Sequence, residues 1–140
     1  MPSIAIVDSG ALIAFTNRAD PHHSLVSTVL SRRDLEILVP VLCIAEVCYM
    51  LAERGGPGME SRFLARCSQL DIRAPEPEDW DRIAQLAFAY RDMGLGGTDA
   101  SVIALAERLG TDIVLTLDER HFRAVQAKHA RSFRLLRDFA

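Results

Sequence analysis

The sequence predicts an α/β sandwich in which helices flank a short, mostly parallel sheet. Short apolar runs, such as residues 3–7 and 112–117, alternate with longer segments of helical periodicity. The runs are continuously apolar, which is typical of strands that are covered on both faces. Four or five such strands are expected, with helices between them.

The length and composition are those of an ordinary globular protein. At 140 residues, 49% of them apolar and 25% charged, the chain is expected to form one domain, 1–140. Asp8 interrupts the only apolar stretch near the N-terminus, so neither a signal peptide nor a membrane span is predicted, and a cytoplasmic location is expected. Cys43, Cys48 and Cys67 form no C-x-x-C pair, and their odd number favours small core residues over a disulfide framework.

The first half of the chain predicts two strands and four helices. Pro40 closes the second apolar run, and the dipeptide Asp20-Pro21 is a helix-start signal. The elements expected here are strand 3–7, helix 11–16, a helix after Pro21, strand 35–39, helix 42–54 and helix 59–70.

The second half predicts three helices and three strands. Two prolines precede a long helix at about 78–91, in which Trp80 is expected to be a core residue. The next helix ends at Gly110, a residue type favoured at helix C-termini. The other elements expected are strand 71–73, strand 112–117, a short helix and strand 133–136.

The segment 95–106, Leu-Gly-Gly-Thr-Asp-Ala-Ser-Val-Ile-Ala-Leu-Ala, contains an acid at an unusual position. Thr98 is predicted to be the N-cap of a helix, and Asp99 falls in its first turn. The residues three, four and seven positions after Asp99 are apolar, so its carboxylate is expected at the edge of the core. An acid in a first turn also interacts favourably with the helix dipole, so this position alone leaves a structural role open.

Two further acids directly follow predicted strands. Asp8 follows the first strand, and Asp118 follows the strand at 112–117. In open α/β sheets, ligands bind at the carboxyl ends of the strands, which gives both residues a candidate function. Asp71 and Asp112 begin strands and therefore face the opposite edge, so we assign them no role.

A fourth acid, Glu46, is the only charged residue in the apolar segment 41–52. A carboxylate in so apolar a helix is costly unless it has a partner. Carboxylates that converge repel one another, so either their pKa values rise or a cation holds them together. The sequence has no H-E-x-x-H motif and no Cys/His cluster, which disfavours zinc, whereas oxygen ligands suit Mg²⁺ or Mn²⁺. Such a cation can activate a water and neutralise charge on a phosphodiester. The four histidines are expected to be surface residues and not ligands: His22, His23, His121 and His129.

The net charge of −3 gives no general reason to expect nucleic-acid binding. The charges are unevenly distributed, because residues 119–140 contain six basic side chains and two acids, a local charge of +4 that leaves −7 on residues 1–118. This basic tail could contact phosphates, although a solvated surface is the commoner explanation.

Four parts of the sequence together resemble PIN-domain ribonucleases, and among them the VapC-type toxins of toxin–antitoxin pairs. These parts are Val-Asp-Ser-Gly at 7–10, the isolated Glu46, Gly-Gly-Thr-Asp-Ala-Ser-Val-Ile-Ala-Leu-Ala at 96–106 and Leu-Thr-Leu-Asp-Glu-Arg-His-Phe at 115–122. The resemblance extends over about 4–136 and implies a PIN-like three-layer sandwich.

The resemblance also implies a set of site residues. Asp8, Glu46, Asp99 and Asp118 match the acidic metal-binding positions of the family. Thr116, in a T-x-D pattern, matches a hydroxyl position near the metals. Ser9 and Thr98 are polar neighbours with weaker claims, and Glu119 is left out because many family members have another residue there.

The function implied is that of a Mg²⁺- or Mn²⁺-dependent endoribonuclease and toxin. Its expected partners are an RNA substrate, a second copy of the chain, and a small antitoxin protein that inserts an Arg and an amphipathic helix. Apolar residues of helices 11–15 and 42–51 would supply the surfaces for these protein contacts. Proteins of this type often have a more basic surface, so RNA affinity here would depend on a local basic patch.

Three alternatives remain open. The first is a PIN nuclease of RNA processing that has no antitoxin, and the second is a catalytically weak PIN-like module that binds RNA or protein. The third is a Mg²⁺-dependent phosphoryl-transfer domain of the receiver or phosphatase type. This last alternative is disfavoured because the first strand is not followed by D-x-D and Lys128 is the only lysine.

Overall fold

Five parallel strands form the central sheet of the protein in a computed structural model that describes residues 1–140. The strands are β1 (Ser3–Val7), β2 (Leu35–Pro40), β3 (Ile72–Arg73), β4 (Ile113–Leu115) and β5 (Arg134–Leu135). Their order across the sheet is β3-β2-β1-β4-β5. Helices flank the sheet, so the predicted α/β sandwich is confirmed.

Seven α-helices connect the strands: α1 (Ser9–Thr16), α2 (His23–Leu30), α3 (Val41–Arg54), α4 (Met59–Arg66), α5 (Asp79–Ala89), α6 (Gly97–Leu109) and α7 (Glu119–Ala124). Short 3₁₀ turns follow α4, α5 and β5. Helix α1 packs against α2 and α3, and α5 packs along α6. No helix combines the length and the apolar content that crossing a bilayer requires.

The strand order reverses between β1 and β4. The chain adds β2 and β3 on one side of β1, then returns to place β4 and β5 on the other side. Val7 pairs with Leu115 at the carboxyl ends of β1 and β4, and the Asp8 amide continues the pairing by donating to the Leu115 carbonyl. The segments that follow these two strands therefore begin side by side, at the point where ligands bind in open α/β sheets.

Helix α6 is the most deeply buried helix of the fold. Every residue from Ala100 to Ala106 is buried, and Gly110 ends the helix in the left-handed conformation at a φ of 68°, as predicted. A helix held this firmly fixes the position of its first turn, where Asp99 lies.

The predicted N-cap of α6 is wrong. Gly96 caps the helix, while Thr98 lies within the first turn and its carbonyl accepts a hydrogen bond from the Ser101 hydroxyl. Gly96 is the N-cap and Gly97 is the first residue of the helix, so α6 begins two residues earlier than the prediction of Thr98 as N-cap implies. The start of α6 therefore has no capping side chain.

Trp80 is not a core residue, because 51% of its surface is exposed. The buried stripe of α5 consists of Asp79, Ile83 and Leu86, and Trp80 lies about 100° around the helix from it. Asp79 can occupy a buried position because the Arg108 guanidinium pairs with it at 2.8 Å. Ion pairing between α5 and α6 has therefore set the rotation of this helix.

The strand predicted at 112–117 is shorter, since pairing stops at Leu115. The Thr116 amide donates to the Val114 carbonyl at 3.1 Å, and this turn ends the pairing of β4 with its neighbours.

Among the cysteines, Cys43 is buried and burial raises the pKa of its thiol to about 12, whereas Cys48 and Cys67 are half-buried. All three are free thiols, as expected.

Candidate metal centre

An open pocket of about 510 Å³ lies at the carboxyl edge of the sheet. Four acids line it: Asp8, Glu46, Asp99 and Asp118. The remaining lining residues are Thr98 and glycines, and none is hydrophobic. The structure therefore brings together all four acids singled out in the sequence.

Asp8 is the most deeply buried of these acids, with 5% of its surface exposed. It caps α1, where its Oδ1 accepts a hydrogen bond of 2.7 Å from the Ser9 amide. Burial raises the pKa of its carboxyl from 3.8 to about 6, and the charge of Asp99 adds to this rise. Hydrogen bonds from Thr116 and Ser9 act in the opposite direction but do not offset the burial.

Thr116 is completely buried and connects two of the acids. Its hydroxyl donates to Asp8 Oδ2 at 2.8 Å and accepts from the Asp118 amide at 2.9 Å. The hydroxyl has no solvent-accessible surface with which to contact a substrate. Thr116 therefore acts on the pocket as a positioning residue, through Asp8 and the backbone of Asp118.

Asp99 and Asp118 enter the pocket from two different helices. Asp99 lies in the first turn of α6, and burial followed by the charge of Glu46 raises the pKa of its carboxyl. Asp118 caps α7, where its Oδ1 accepts from the His121 amide at 3.2 Å. Its side chain is more exposed than that of Asp99.

Glu46 differs from the expectation, because it is exposed rather than embedded among apolar side chains. Helix α3 turns one face to solvent, and that face also carries the apolar residues Val41 and Tyr49. Part of the apolar composition around Glu46 thus comes from residues that are exposed to solvent. The Glu46 charge still raises the pKa values of Asp8 and Asp99, which shows that it contributes to the pocket's negative potential.

His121 belongs to the site, contrary to the expectation that all four histidines are surface residues without a ligand role. Its Nδ1 lies 2.7 Å from Asp118 Oδ2 and 3.4 Å from Asp99 Oδ2. Its Nε2 lies 2.7 Å from the Met93 carbonyl. The sequence spacing could have indicated this contact. His121 is three positions after Asp118, the N-cap of α7, and residues with this spacing lie on the same side of a helix.

The other polar neighbours have weaker connections to the pocket. Thr98 lines it, whereas Ser9 is buried beside Asp8 and does not. Glu119 forms ion pairs with Arg123 and Arg137, which directs its carboxylate away from the four acids. The structure thus agrees with leaving Glu119 out of the candidate site.

Three helices begin at this pocket. Asp8 caps α1, Asp118 caps α7, and Asp99 lies in the first turn of α6. A helix N-terminus carries partial positive charge and stabilises a nearby carboxylate by about 0.3–1 kcal/mol. These helix dipoles partly offset the repulsion among the acids, so the chain can fold with carboxylates gathered at one edge.

The donors present fit a hard divalent cation. Asp99, Asp118 and His121 each place one ligand atom within 4.8 Å of the other two, and Asp8 and Glu46 line the same pocket. Carboxylate oxygens are the ligands that Mg²⁺ and Mn²⁺ prefer. A cation also offsets the repulsion from Asp99 and Glu46, which adds to the effect of burial on the pKa of Asp8. The buried Nδ1 of His121 is a further candidate donor atom at this point.

We expect the chelator-treated protein to lose stability as Asp8 ionises. The folded-state pKa of about 6 exceeds the ordinary value of 3.8, so ionisation opposes folding. Its cost is absent below pH 4, appears between pH 4 and 6, and reaches about 2–3 kcal/mol at pH 7. Urea unfolding in EDTA should show the Asp8→Asn variant gaining stability over the wild type across this interval. A stability difference that does not change between pH 4 and 7 would contradict the raised pKa.

The comparisons with known proteins agree with the fold. The sequence matches the PIN domain family over residues 5–128. It is 30% identical to ribonuclease VapC26 of Mycobacterium tuberculosis, in an alignment covering 86% of this chain and 91% of that protein. The chain therefore belongs to the PIN-domain family.

Two solved structures share the fold at low sequence identity. One is Mycobacterium tuberculosis VapC20, described as a sarcin–ricin loop cleaving toxin, with a TM-score of 0.74, 16% identity, and coverage of 84% of this chain and 92% of that one. The other is VapBC2 from Rickettsia felis bound to a DNA fragment from its promoter, with a TM-score of 0.65, 14% identity, and coverage of 94% and 96%. Within the PIN family, the similarity is thus to VapC proteins.

Proposed function

We propose that the protein is a divalent-metal-dependent endoribonuclease and the toxin of a toxin–antitoxin pair. The observation that carries this proposal is the convergence of Asp8, Glu46, Asp99 and Asp118 on one open pocket without hydrophobic lining. Membership of the PIN family and the similarity to a protein named as a ribonuclease support the choice of RNA as substrate.

Asp8, Asp99 and Asp118 are the proposed ligands of Mg²⁺ or Mn²⁺, with Glu46 as a further ligand or as a group that orients the attacking water. The cation would supply charge neutralisation at the phosphodiester and lower the pKa of a bound water. Thr116 holds Asp8 in place through its hydroxyl and fixes the Asp118 backbone. Asp8 therefore keeps its orientation even though burial disfavours its charge.

The backbone around the pocket leaves room for a phosphodiester. Gly94, Gly96 and Gly97 form part of its wall, and a Cβ atom at each would project into open space. Gly94 also has a φ of 79°, which favours glycine at the turn leading into α6. The uncapped start of α6 has free N–H groups that can donate to phosphate oxygens beside the acids.

Part of the basic tail is free of ion pairs even though the net charge is negative. In the tail, Arg134 pairs with Asp112, whereas Arg120, Lys128 and Arg131 form no ion pair. Three of the six basic side chains of the tail are thus free for phosphate contacts. We propose that these residues, not the net charge, supply the electrostatic part of RNA binding.

The proposed antitoxin would contact two surfaces. An Arg of the antitoxin fits the acidic pocket, because its planar guanidinium can bind two carboxylate oxygens. A groove of about 640 Å³ between α1, α2 and α4 suits an amphipathic helix. Phe15, Met59 and Phe63 contribute its apolar surface, and the groove is also lined by arginines.

The exposed Val41 and Tyr49 of α3 are the proposed contacts of a homodimer.

Co-expression with the neighbouring small gene tests the toxin assignment. With a purification tag on the neighbour alone, an inactive complex is expected, and cleavage should return once the partner is removed. Reversing the groove charge with Arg62→Glu and Arg66→Glu should abolish co-purification while leaving cleavage by the free protein intact. Arg33→Glu, at an exposed arginine that lies outside the groove and has no ion pair, is the control and should co-purify normally.

The other outcomes lead to different assignments. If the chain elutes alone and active despite excess partner, a processing nuclease without an antitoxin replaces the toxin. If the double variant still binds the partner but cleaves RNA slowly, the groove binds substrate and not the antitoxin. A protein that binds RNA but never cleaves it would be a binding module.

A further inference from the structure

The imidazole of His121 lies between two acids of the pocket and directs one ring nitrogen at both. Its Nδ1 is fully buried and lies 2.7 Å from Asp118 Oδ2. The second carboxylate oxygen, on Asp99, lies at 3.4 Å. A ring nitrogen at these distances from two carboxylate oxygens can share with them either a proton or a cation.

The opposite nitrogen of the ring decides which nitrogen carries the proton. His121 Nε2 lies 2.7 Å from the Met93 carbonyl, which can only accept a hydrogen bond. Nε2 is therefore a donor, which leaves Nδ1 as the ring atom that faces Asp99 and Asp118. Metal-ligating imidazoles usually donate the N–H of the nitrogen that does not bind the metal to a backbone carbonyl or a carboxylate, and the contact of Nε2 with Met93 matches that arrangement.

The spacing of the three donor atoms also suits a shared cation. Ligands at about 2.1 Å from one octahedral ion lie about 3–4.2 Å apart. The ligand atoms of Asp99, Asp118 and His121 all lie within 4.8 Å of one another, so bringing them to one ion requires only small side-chain movements. Asp118 and His121 come from one turn of α7 and Asp99 from the first turn of α6, so two helices fix the geometry.

We propose that His121 Nδ1 is a ligand of the divalent cation, together with Asp99 and Asp118, and that it makes the site selective for Mn²⁺ over Mg²⁺. This inference rests on the proposed metal-dependent function and specifies which of its two candidate cations the site prefers. Imidazole nitrogen binds first-row transition metals better than it binds Mg²⁺, which favours all-oxygen ligands. A pocket with carboxylates alone would show a weaker preference.

Pulsed electron paramagnetic resonance of Mn²⁺ bound to the full-length protein tests the ligand directly, because a coordinated nitrogen gives a ¹⁴N coupling. The wild type should show this coupling, and calorimetry should give Mn²⁺ binding at least about tenfold tighter than Mg²⁺ binding. His121→Gln keeps an amide donor for the Met93 carbonyl but has no Nδ1. It should lose the ¹⁴N coupling and bind Mn²⁺ about tenfold more weakly, with Mg²⁺ affinity changed far less.

His129 provides the matched control, since its Nε2 contacts the Thr111 carbonyl at 2.6 Å but it lies outside the acidic pocket. His129→Gln should retain the ¹⁴N coupling and the Mn²⁺ preference. Mn²⁺ bound by the wild type without ¹⁴N coupling would overturn the inference, whether or not His121→Gln folds. An unchanged ratio of Mn²⁺ to Mg²⁺ affinity in His121→Gln would also overturn it.

The same experiment distinguishes failure of the histidine ligand from failure of the metal centre. If Mn²⁺ binds without ¹⁴N coupling and RNA cleavage still requires a divalent cation, only the role of His121 is rejected. If neither Mn²⁺ nor Mg²⁺ binds, both the histidine ligand and the metal centre of the proposed function are rejected.

Discussion

Replacing Asp99 with Asn is expected to slow RNA cleavage by about 100- to 1,000-fold, because a metal ligand contributes several kcal/mol to stabilising the transition state. The same change should leave the fold intact. Burial and the Glu46 charge raise the pKa of the Asp99 carboxyl, so its ionised form is unfavourable in the metal-free protein. Asn keeps the shape without the charge, and the melting temperature in EDTA should therefore stay equal or rise.

The matched control is Asp112→Asn. Asp112 is also an acid next to β4, but it lies at the opposite edge of the sheet and pairs with Arg134 through two hydrogen bonds of 2.9 Å. Its replacement should leave the cleavage rate unchanged. An Asp99→Asn variant that cleaves normally but melts several degrees lower would mean that Asp99 only stabilises the start of α6, and the proposed site would be misplaced.

The fold can be predicted from the sequence because its three central strands, β1, β2 and β4, are short and mainly apolar runs closed by a polar or proline residue. Strand β1 has the predicted bounds, and β2 extends one residue further, through Pro40. The rotation of α5 is harder to predict, since it depends on the ion pair between Asp79 and Arg108, two residues 29 positions apart. The sequence around Trp80 does not indicate that Asp79 will be buried in its place, because the partner of Asp79, Arg108, lies in another helix.

The candidate site can be predicted only in part. Asp8 and Asp118 follow strands that end at the same edge, so their proximity follows from the parallel sheet. His121 is close in sequence to Asp118, yet its contact with Asp99 depends on where α6 begins relative to α7. Glu46 lines the expected pocket, but it is exposed. Its exposure depends on which face of α3 the other elements cover, and the sequence around Glu46 does not determine that face.

Removal of divalent cations is expected to have the largest effect on activity. Four carboxylates line the pocket, and in the absence of a cation their potential repels the phosphodiester of an incoming RNA. The side chain of His121 is the only group in direct contact with the acids that can carry positive charge, and it contacts just two of them. Ca²⁺ should not replace Mg²⁺ or Mn²⁺, because it prefers longer bonds and more ligands than this arrangement offers.

The most direct test of the metal-dependent nuclease is the cleavage rate of a defined RNA by the purified protein in excess EDTA, before and after Mg²⁺ or Mn²⁺ is added in excess over the chelator. Asp99→Asn, purified in the same way, controls for contaminating nucleases. The wild type should show no cleavage in EDTA and recover it with either cation but not with Ca²⁺. Undiminished cleavage by the wild type in excess EDTA, absent from Asp99→Asn, would contradict the metal mechanism while leaving the acidic pocket as the active site.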